Sequence, residues 1–481
     1  MSATDFSSRV VSHSLLGAVG MVGHKVLNLL TALVLIRGLS AEQFGTYSYI
    51  GVLLLFAGFV SDLGLERVLV RELARTPSAA PLLLANATIL RIALGLGAVA
   101  VGLALGWFLQ LGGSAWWCLL LGLVAMPLSM DNVGRAFFQS RFQMDRFYAL
   151  TLATAPFYLG ALAFCLWMRW PLVAIFALGL AHALVLTAGT AILVVRQVRP
   201  RWQIEKDILG LFLRDALQLG AFSFLFLAAM RIDQVLLFRW RGAEDVAVYA
   251  VGVRFAEALS LFPEAAMLSV LPAMAAVYHS RPERFRQLRQ LAYRYLALPI
   301  VPLILVCAFA ASELLALLFG PTYSASAPIV VLLAGNMFFA FMGAVFLNEF
   351  LIARWLGQML AVSTISVATN VALNALWIPH HGPVGAAAAT VVSSAVGFTC
   401  WLFWPPTRGT LRDCLREAAR PVVAGAVAFA VVSLAGQAGW TAAGTSVAAY
   451  MLVLWALGGL TSRDIQRWAT ALRNVRPSWS A

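Results

Sequence analysis

Apolar runs of about 18 residues or more, each long enough to cross a bilayer core as a helix, recur from one end of the chain to the other. A soluble domain has nowhere to bury so many of them. A membrane β-barrel would instead show alternating segments of about ten residues. Composition agrees: 61% of the 481 residues are hydrophobic and 11% charged, with a mean hydropathy of +0.85. The first run is followed at once by another, so it reads as a retained span and not a cleaved signal peptide. The expected fold class is an all-α membrane protein. Its fourteen expected spans lie near 14–36, 47–66, 82–109, 115–133, 147–168, 171–195, 216–240, 246–274, 293–319, 327–352, 355–378, 383–404, 419–437 and 441–460. The connectors are short, and no extramembrane domain is expected.

The net charge is +13. With alternating connectors assigned to opposite sides, 26 Lys and Arg residues share a side with the N-terminus and 4 lie opposite. That bias places both termini in the cytoplasm. It also supports an even span count, since one missed helix would scramble the alternation. The charge therefore reads as topology, and no nucleic-acid partner is expected. The cysteines Cys118, Cys165, Cys307, Cys400 and Cys414 are scattered, the last in an arginine-rich loop, so neither disulfides nor a metal site are expected. His380 and His381 have no carboxylate or cysteine nearby in sequence.

Span 216–240 carries two residues foreign to hydrocarbon, Arg231 and Asp233. Arg231 sits roughly 24 Å along the helix from Asp215, where an unpartnered charge costs at least about 2.5 kcal/mol. The two are too close in sequence to share a face, so one of them is expected to meet a cavity or another helix. This span also opens an internal repeat. Leu35–Tyr47 (LIRGLSAEQFGTY) and Leu237–Tyr249 (LFRWRGAEDVAVY) match at Arg37/Arg239, Ala41/Ala243, Glu42/Glu244 and Tyr47/Tyr249, an offset of 202. The offset equals six spans, so orientation is preserved. The expected architecture is two parallel six-helix lobes around a central cavity, residues 1–213 and 214–404, with two further helices and a tail in 405–481.

Other charges lie at apolar depth. Lys25 is close to the midplane of the first span, with Asn28 one turn on. Arg254 lies in the eighth span and can pair with Glu257 at i+3. Arg91 is near a span end and is expected to snorkel. Asp62 and Glu264, again 202 apart, lie toward the cytoplasmic ends of spans 2 and 8. Lys25, Arg231 and Arg254 are candidate cavity cations. Asp62, Asp233, Glu257 and Glu264 are candidates for coupling or ion pairing, with Asn28 and Arg91 secondary. In residues 281–294 arginines alternate with Phe285, Leu288 and Leu291, which predicts an interfacial basic helix.

Asn370–Ser394 (NVALNALWIPHHGPVGAAAATVVSS), Leu317–Leu333 (LLFGPTYSASAPIVVLL) and the Arg37–Tyr47 turn resemble the polysaccharide exporters, the Wzx-like lipid-linked oligosaccharide flippases of the multidrug/oligosaccharidyl-lipid/polysaccharide exporter superfamily. The resemblance covers most of residues 10–404. The last two spans depart from twelve-helix members, although related lipid II flippases have fourteen. The resemblance implies a cavity lined by spans 1, 2, 7 and 8, three of which carry Lys25, Arg231 and Arg254. Such cations suit a pyrophosphate. The implied function is a flippase for undecaprenyl-pyrophosphate-linked oligosaccharides in the bacterial inner membrane. It would need no cofactor beyond a proton or sodium gradient. Implied partners are the lipid-linked glycan, membrane lipids, and the polymerase and glycosyltransferases of its pathway. The alternatives are a multidrug or other lipid exporter of the superfamily, whose drug-handling members favour acidic cavities, and a membrane polymerase or ligase, which usually needs a large outer loop.

Overall fold

The computed structural model describes residues 3–353 and 355–459, leaving aside some side chains, among them those of 3–16, 218–226, 228–230 and 264–265. Arg354, Arg463, Arg467, Arg473 and Arg476 therefore lie outside the described residues, as does the side chain of Glu264. The described elements are helices: α1 (Ala3–Gly38), α2 (Ala41–Asp62), α3 (Leu65–Arg75), α4 (Ala80–Phe108), α5 (Gly113–Leu128), α6 (Asp131–Ser140), α7 (Met144–Trp167), α8 (Leu172–Val195), α9 (Lys206–Arg241), α10 (Ala243–Leu259), α11 (Leu261–Val277), α12 (Pro282–Phe319), α13 (Ala327–Ala353), α14 (Leu356–Cys400), α15 (Pro405–Leu434) and α16 (Gly439–Ala456), with three short 3₁₀ turns.

Among the described residues nine helices are long and apolar enough to cross a membrane, or ten if α5 and α6, bent by 42°, count as one span. Each of the fourteen expected spans falls on helix, two of them on α14, one on the pair α10–α11 and one on α5 and the start of α6. The eighth span is broken at Ser260 because Pro263 has no N–H to return to the carbonyl of Leu259. Local chemistry sets other ends. Ser40 and Gln43 form a reciprocal capping box at the start of α2. Gly242 and Gly320 close α9 and α12 at φ values of 90° and 101°.

The helix α14 is a hairpin. Gly382 leaves helical geometry at φ 55° and ψ −134°, between Pro379 and Pro383. The two halves fold back so that Ser366 donates to the carbonyl of Ser393 at 2.9 Å and Asn370 donates to the Ser393 hydroxyl at 3.2 Å. Asn374 donates to Asn370 at 2.9 Å. The paired asparagines are thus buried polar glue between two spans.

The chain forms two compact units, 1–250 and 251–481. The division falls later than the lobe boundary read at 213/214, because α9 packs on α2, α3 and α4. Inside the first unit small residues let helices approach closely, as expected where lipid removes the hydrophobic drive. A Cβ on Gly20 would lie 2.5 Å from the Cβ of Tyr148, where α1 meets α7. The two copies of the repeated turn meet in this unit as well, where α2 touches the start of α10. A Cβ on Gly45 would lie 1.7 Å from the carbonyl oxygen of Ala243. Tyr49 stacks on Phe238 with ring centroids 3.7 Å apart and planes 2° from parallel.

Two connectors read as loops are helices. Leu65, Val68, Leu69 and Leu73 of α3 and Val133, Ala136, Phe137 and Phe138 of α6 share one buried cluster with Phe212 and Ala216 of α9. In the second unit α12 packs against α11, α13, α15 and α16. The basic segment 281–294 is helical, but it is the first part of the 38-residue α12 and not a separate interfacial helix. Cys414 sits buried on α15 and not in a loop.

Candidate functional site

The expected cavity cations stand on three helices. Lys25 lies half-buried on α1, where its neighbours His24 and Asn28 approach to 3.2 Å. Arg231 lies half-buried on α9. Arg254 is exposed on α10 and pairs with Glu257 at 3.0 Å, the i+3 pair read from the sequence. Lys25 and Arg231 belong to the first unit and Arg254 to the second.

Asp233, one turn-face away from Arg231, is 5% exposed. One carboxylate oxygen accepts the Tyr249 hydroxyl and the other the backbone N–H of Gln234 at 2.7 Å. Tyr249 ends the second copy of the repeat, so the motif tyrosine serves to satisfy a carboxylate buried within a span.

Arg91 does not snorkel. It is 4% exposed and folds inward, donating to the Ser61 carbonyl at 2.8 Å and to Asp62 at 3.1 Å. Burial with two oxygen partners outweighs the reach to the interface. Asp62 is therefore an ion-pair partner joining α2 to α4. Nearby, Arg135 of α6 grips Glu66 of α3 through both forks, one of them at 2.7 Å, and Arg71 of α3 bonds Asp215 of α9. Asn86 of α4 accepts from the Glu205 N–H and donates to the Gln203 carbonyl. These bonds gather the arginine-rich connectors at one end of the unit and leave the Gly45–Ala243 contact at the other end of α2.

Sequence reading missed the densest charge cluster. Arg289 of α12 donates to Glu349 of α13 at 2.7 Å, to Thr410 of α15 at 2.9 Å and to Asp413 of α15 at 2.5 Å. The Thr410 hydroxyl in turn donates to Glu349 at 3.0 Å, and Gln290 and Arg286 also reach Asp413, at 3.0 and 3.3 Å. A signal was present: Glu349 is a carboxylate inside the tenth apolar run, as anomalous there as Arg231 in the seventh. Among the described residues no group of three or more His, Cys, Asp or Glu side chains is placed to hold a metal ion.

Guanidinium and ammonium groups on membrane helices can attract phosphate oxygens, which pair with the forked donors of arginine.

The family model described as "Polysaccharide biosynthesis protein" matches residues 34–328. No curated protein matches the chain in sequence. Among solved structures, the chain is similar to the lipid II flippase MurJ in an inward closed conformation, with a TM-score of 0.69 and 12% identity, covering 94% of this chain and 99% of that one. It is also similar to an inward-facing multidrug resistance MATE family transporter of the MOP superfamily, with a TM-score of 0.60 and 18% identity over 82% and 95% of the two chains. A MOP superfamily transporter from Pyrococcus furiosus aligns with a TM-score of 0.51 and 17% identity over 84% and 95%. These likenesses show a shared all-α fold.

Proposed function

The chain belongs to the polysaccharide biosynthesis protein family, and from that premise we propose that it is a flippase for undecaprenyl-pyrophosphate-linked oligosaccharide units. It carries the sugar-phosphate head from the cytoplasmic to the periplasmic leaflet by alternating access, for surface polysaccharide synthesis. The observation that supports this reading is basic charge at apolar depth. Lys25, Arg231 and Arg254 bind the pyrophosphate, each removing part of its negative charge while it is out of water. Asp233 and Glu257 set the local balance against them, and a proton or sodium gradient drives the cycle. The family description supports a glycan-linked substrate, and the MurJ-like fold supports a polyprenyl-linked one. Its partners are the glycosyltransferases and polymerase of the same pathway. The second reading is a multidrug exporter, favoured by the MATE likeness; it expects cationic substrates and an acidic site.

The test is export of labelled lipid-linked glycan alongside protein abundance. Arg254→Ala should lower export by roughly 10-fold or more, the worth of a charged hydrogen bond. Abundance should stay near normal, because the Arg254–Glu257 pair is accessible on both sides and such pairs add little stability. Arg254→Lys should keep part of the activity, since it retains the charge but not the fork. Arg231→Ala should behave as Arg254→Ala does. Full export by both alanine variants at normal abundance would remove these residues from the substrate site. Efflux of cationic drugs that survives both substitutions would favour the second reading.

This reading sets the chain in the inner membrane with both termini in the cytoplasm. Single cysteines at Ala243 and Pro321 should react with an impermeant thiol reagent in intact cells, and those at Arg284 and Arg463 should not. Labelling of the second pair from outside overturns the topology.

A further inference from the structure

At the end of the second unit where its arginines gather, α12, α15 and the residue run after α16 enclose a cavity of about 200 Å³. Its wall carries Arg294, Arg416 and Arg420 against one carboxylate, Glu417, with Leu298 and Pro421 as an apolar back. Two of the arginines are fixed in place. Arg294 donates to the Gly459 carbonyl and Arg420 to the Gly458 carbonyl, each at 3.0 Å. Those carbonyls lie just past the C-terminus of α16, where orphan acceptors and the helix dipole favour cations. Capping explains these two residues but not the third. Arg416 stands one turn before Arg420 on the same face of α15, is exposed, and has no hydrogen bond or ion pair among the described residues.

The surroundings narrow the ligand. Leu415, Val422 and Val423, beside these arginines on α15, are exposed apolar side chains, as is Trp455 on α16, so the cavity opens next to a lipid-facing surface. The charge bias sets this end at the cytoplasmic leaflet, whose anionic lipids are drawn to basic pockets between spans. Arg294 and Arg420 already spend donors on the Gly459 and Gly458 carbonyls, so Arg416 is the guanidinium with its whole fork open, a fit for one phosphate group. We propose that this cavity holds the phosphodiester of an anionic phospholipid, with the phosphate on Arg416 and Arg420 and the glycerol against Leu298 and Pro421. The same phosphate chemistry is offered by soluble phosphate, so the experiment separates the two sources.

Full-length protein is purified in detergent and titrated with phosphatidylglycerol, phosphatidylcholine or inorganic phosphate. Lipid retention is read by native mass spectrometry and stabilisation by thermal shift. The wild type should retain phosphatidylglycerol in preference to phosphatidylcholine and melt higher with it. Arg416→Gln should melt as the wild type does without lipid and bind phosphatidylglycerol about tenfold more weakly. Arg416→Lys should restore part of the preference. Arg284→Gln, which removes an exposed arginine bonded to Gln287, should leave it unchanged. Arg420→Gln also loosens the end of α16, so the decision rests on Arg416. An unchanged preference in Arg416→Gln, or no preference in the wild type, overturns the proposal. Full stabilisation by inorganic phosphate alone overturns the assignment to a lipid.

Discussion

Arg289→Ala should cost about 3–5 kcal/mol, the usual consequence of stripping one partner from a buried ion pair. It should also reduce the amount of protein in the membrane several-fold. The side chains involved are nearly closed off: Arg289 is 11% exposed, Glu349 6% and Asp413 2%. Asp413 keeps Arg286 and Gln290, but among the described residues Glu349 keeps only Thr410. Its second carboxylate oxygen already has no partner among the described residues, so Glu349 suffers most. Arg289→Lys should be intermediate, because one ammonium cannot reach both carboxylates with the forked geometry. Arg289→Met combined with Glu349→Leu should recover much of the loss, since no uncompensated charge then stays on α13. Thermal unfolding of the purified full-length variants checks this. Equal melting temperatures for wild type and Arg289→Ala would show that the cluster does not tie α12, α13 and α15 together.

Gly45→Val should be the most damaging single change in the first unit. Even one added carbon falls 1.7 Å from a backbone oxygen of Ala243, and a backbone atom cannot rotate away as a side-chain tip can. The starts of α2 and α10 would have to separate, and the Tyr49–Phe238 stack would part with them. Overpacking of this kind costs about 1–3 kcal/mol or more, and loss of the aromatic pair adds roughly 0.5–1.5 kcal/mol. Gly51→Val, one and a half turns on, meets nothing within 4 Å and serves as the control. A cysteine pair at Tyr49 and Phe238 should crosslink in a wild-type background and fail to do so with Gly45→Val. Equal crosslinking in both backgrounds would show that the contact yields without cost.

Helices in this chain are legible because each span must satisfy its own backbone in lipid, so length and apolarity suffice to find it. The break at Gly382 is legible for a related reason, since Pro and Gly end helices anywhere. The helices α3 and α6 are hidden because their arginines mark the side of the membrane as strongly as they mark a helix face. Read at helical spacing, Leu65, Val68, Leu69 and Leu73 form a stripe. Pairing was the least legible level. Arg254–Glu257 is local and was found. Arg289 meets carboxylates 60 and 124 residues away, and no periodicity within one segment encodes that. The inward fold of Arg91 is illegible for the same reason: its partners Ser61 and Asp62 belong to a different helix.

The hairpin α14 constrains how the chain is made. Its 45 residues leave the ribosome as one helix-prone stretch, broken only at Gly382, and the halves are too closely joined to be threaded as separate events. The first half emerges carrying Asn374 bonded to Asn370, and Asn370 bonded to nothing across the hairpin until Ser393 has been synthesised. Released alone into lipid, it would hold a polar seam against hydrocarbon. The translocon must therefore keep the first half in a wet or protein-lined waiting position until the second arrives, and pass both sideways into the bilayer as one folded pair. A stop codon placed between residues 382 and 393 should yield a fragment that the quality-control proteases clear faster than one truncated after the hairpin, which has Ser393 and lacks only the α15 partners of Arg289.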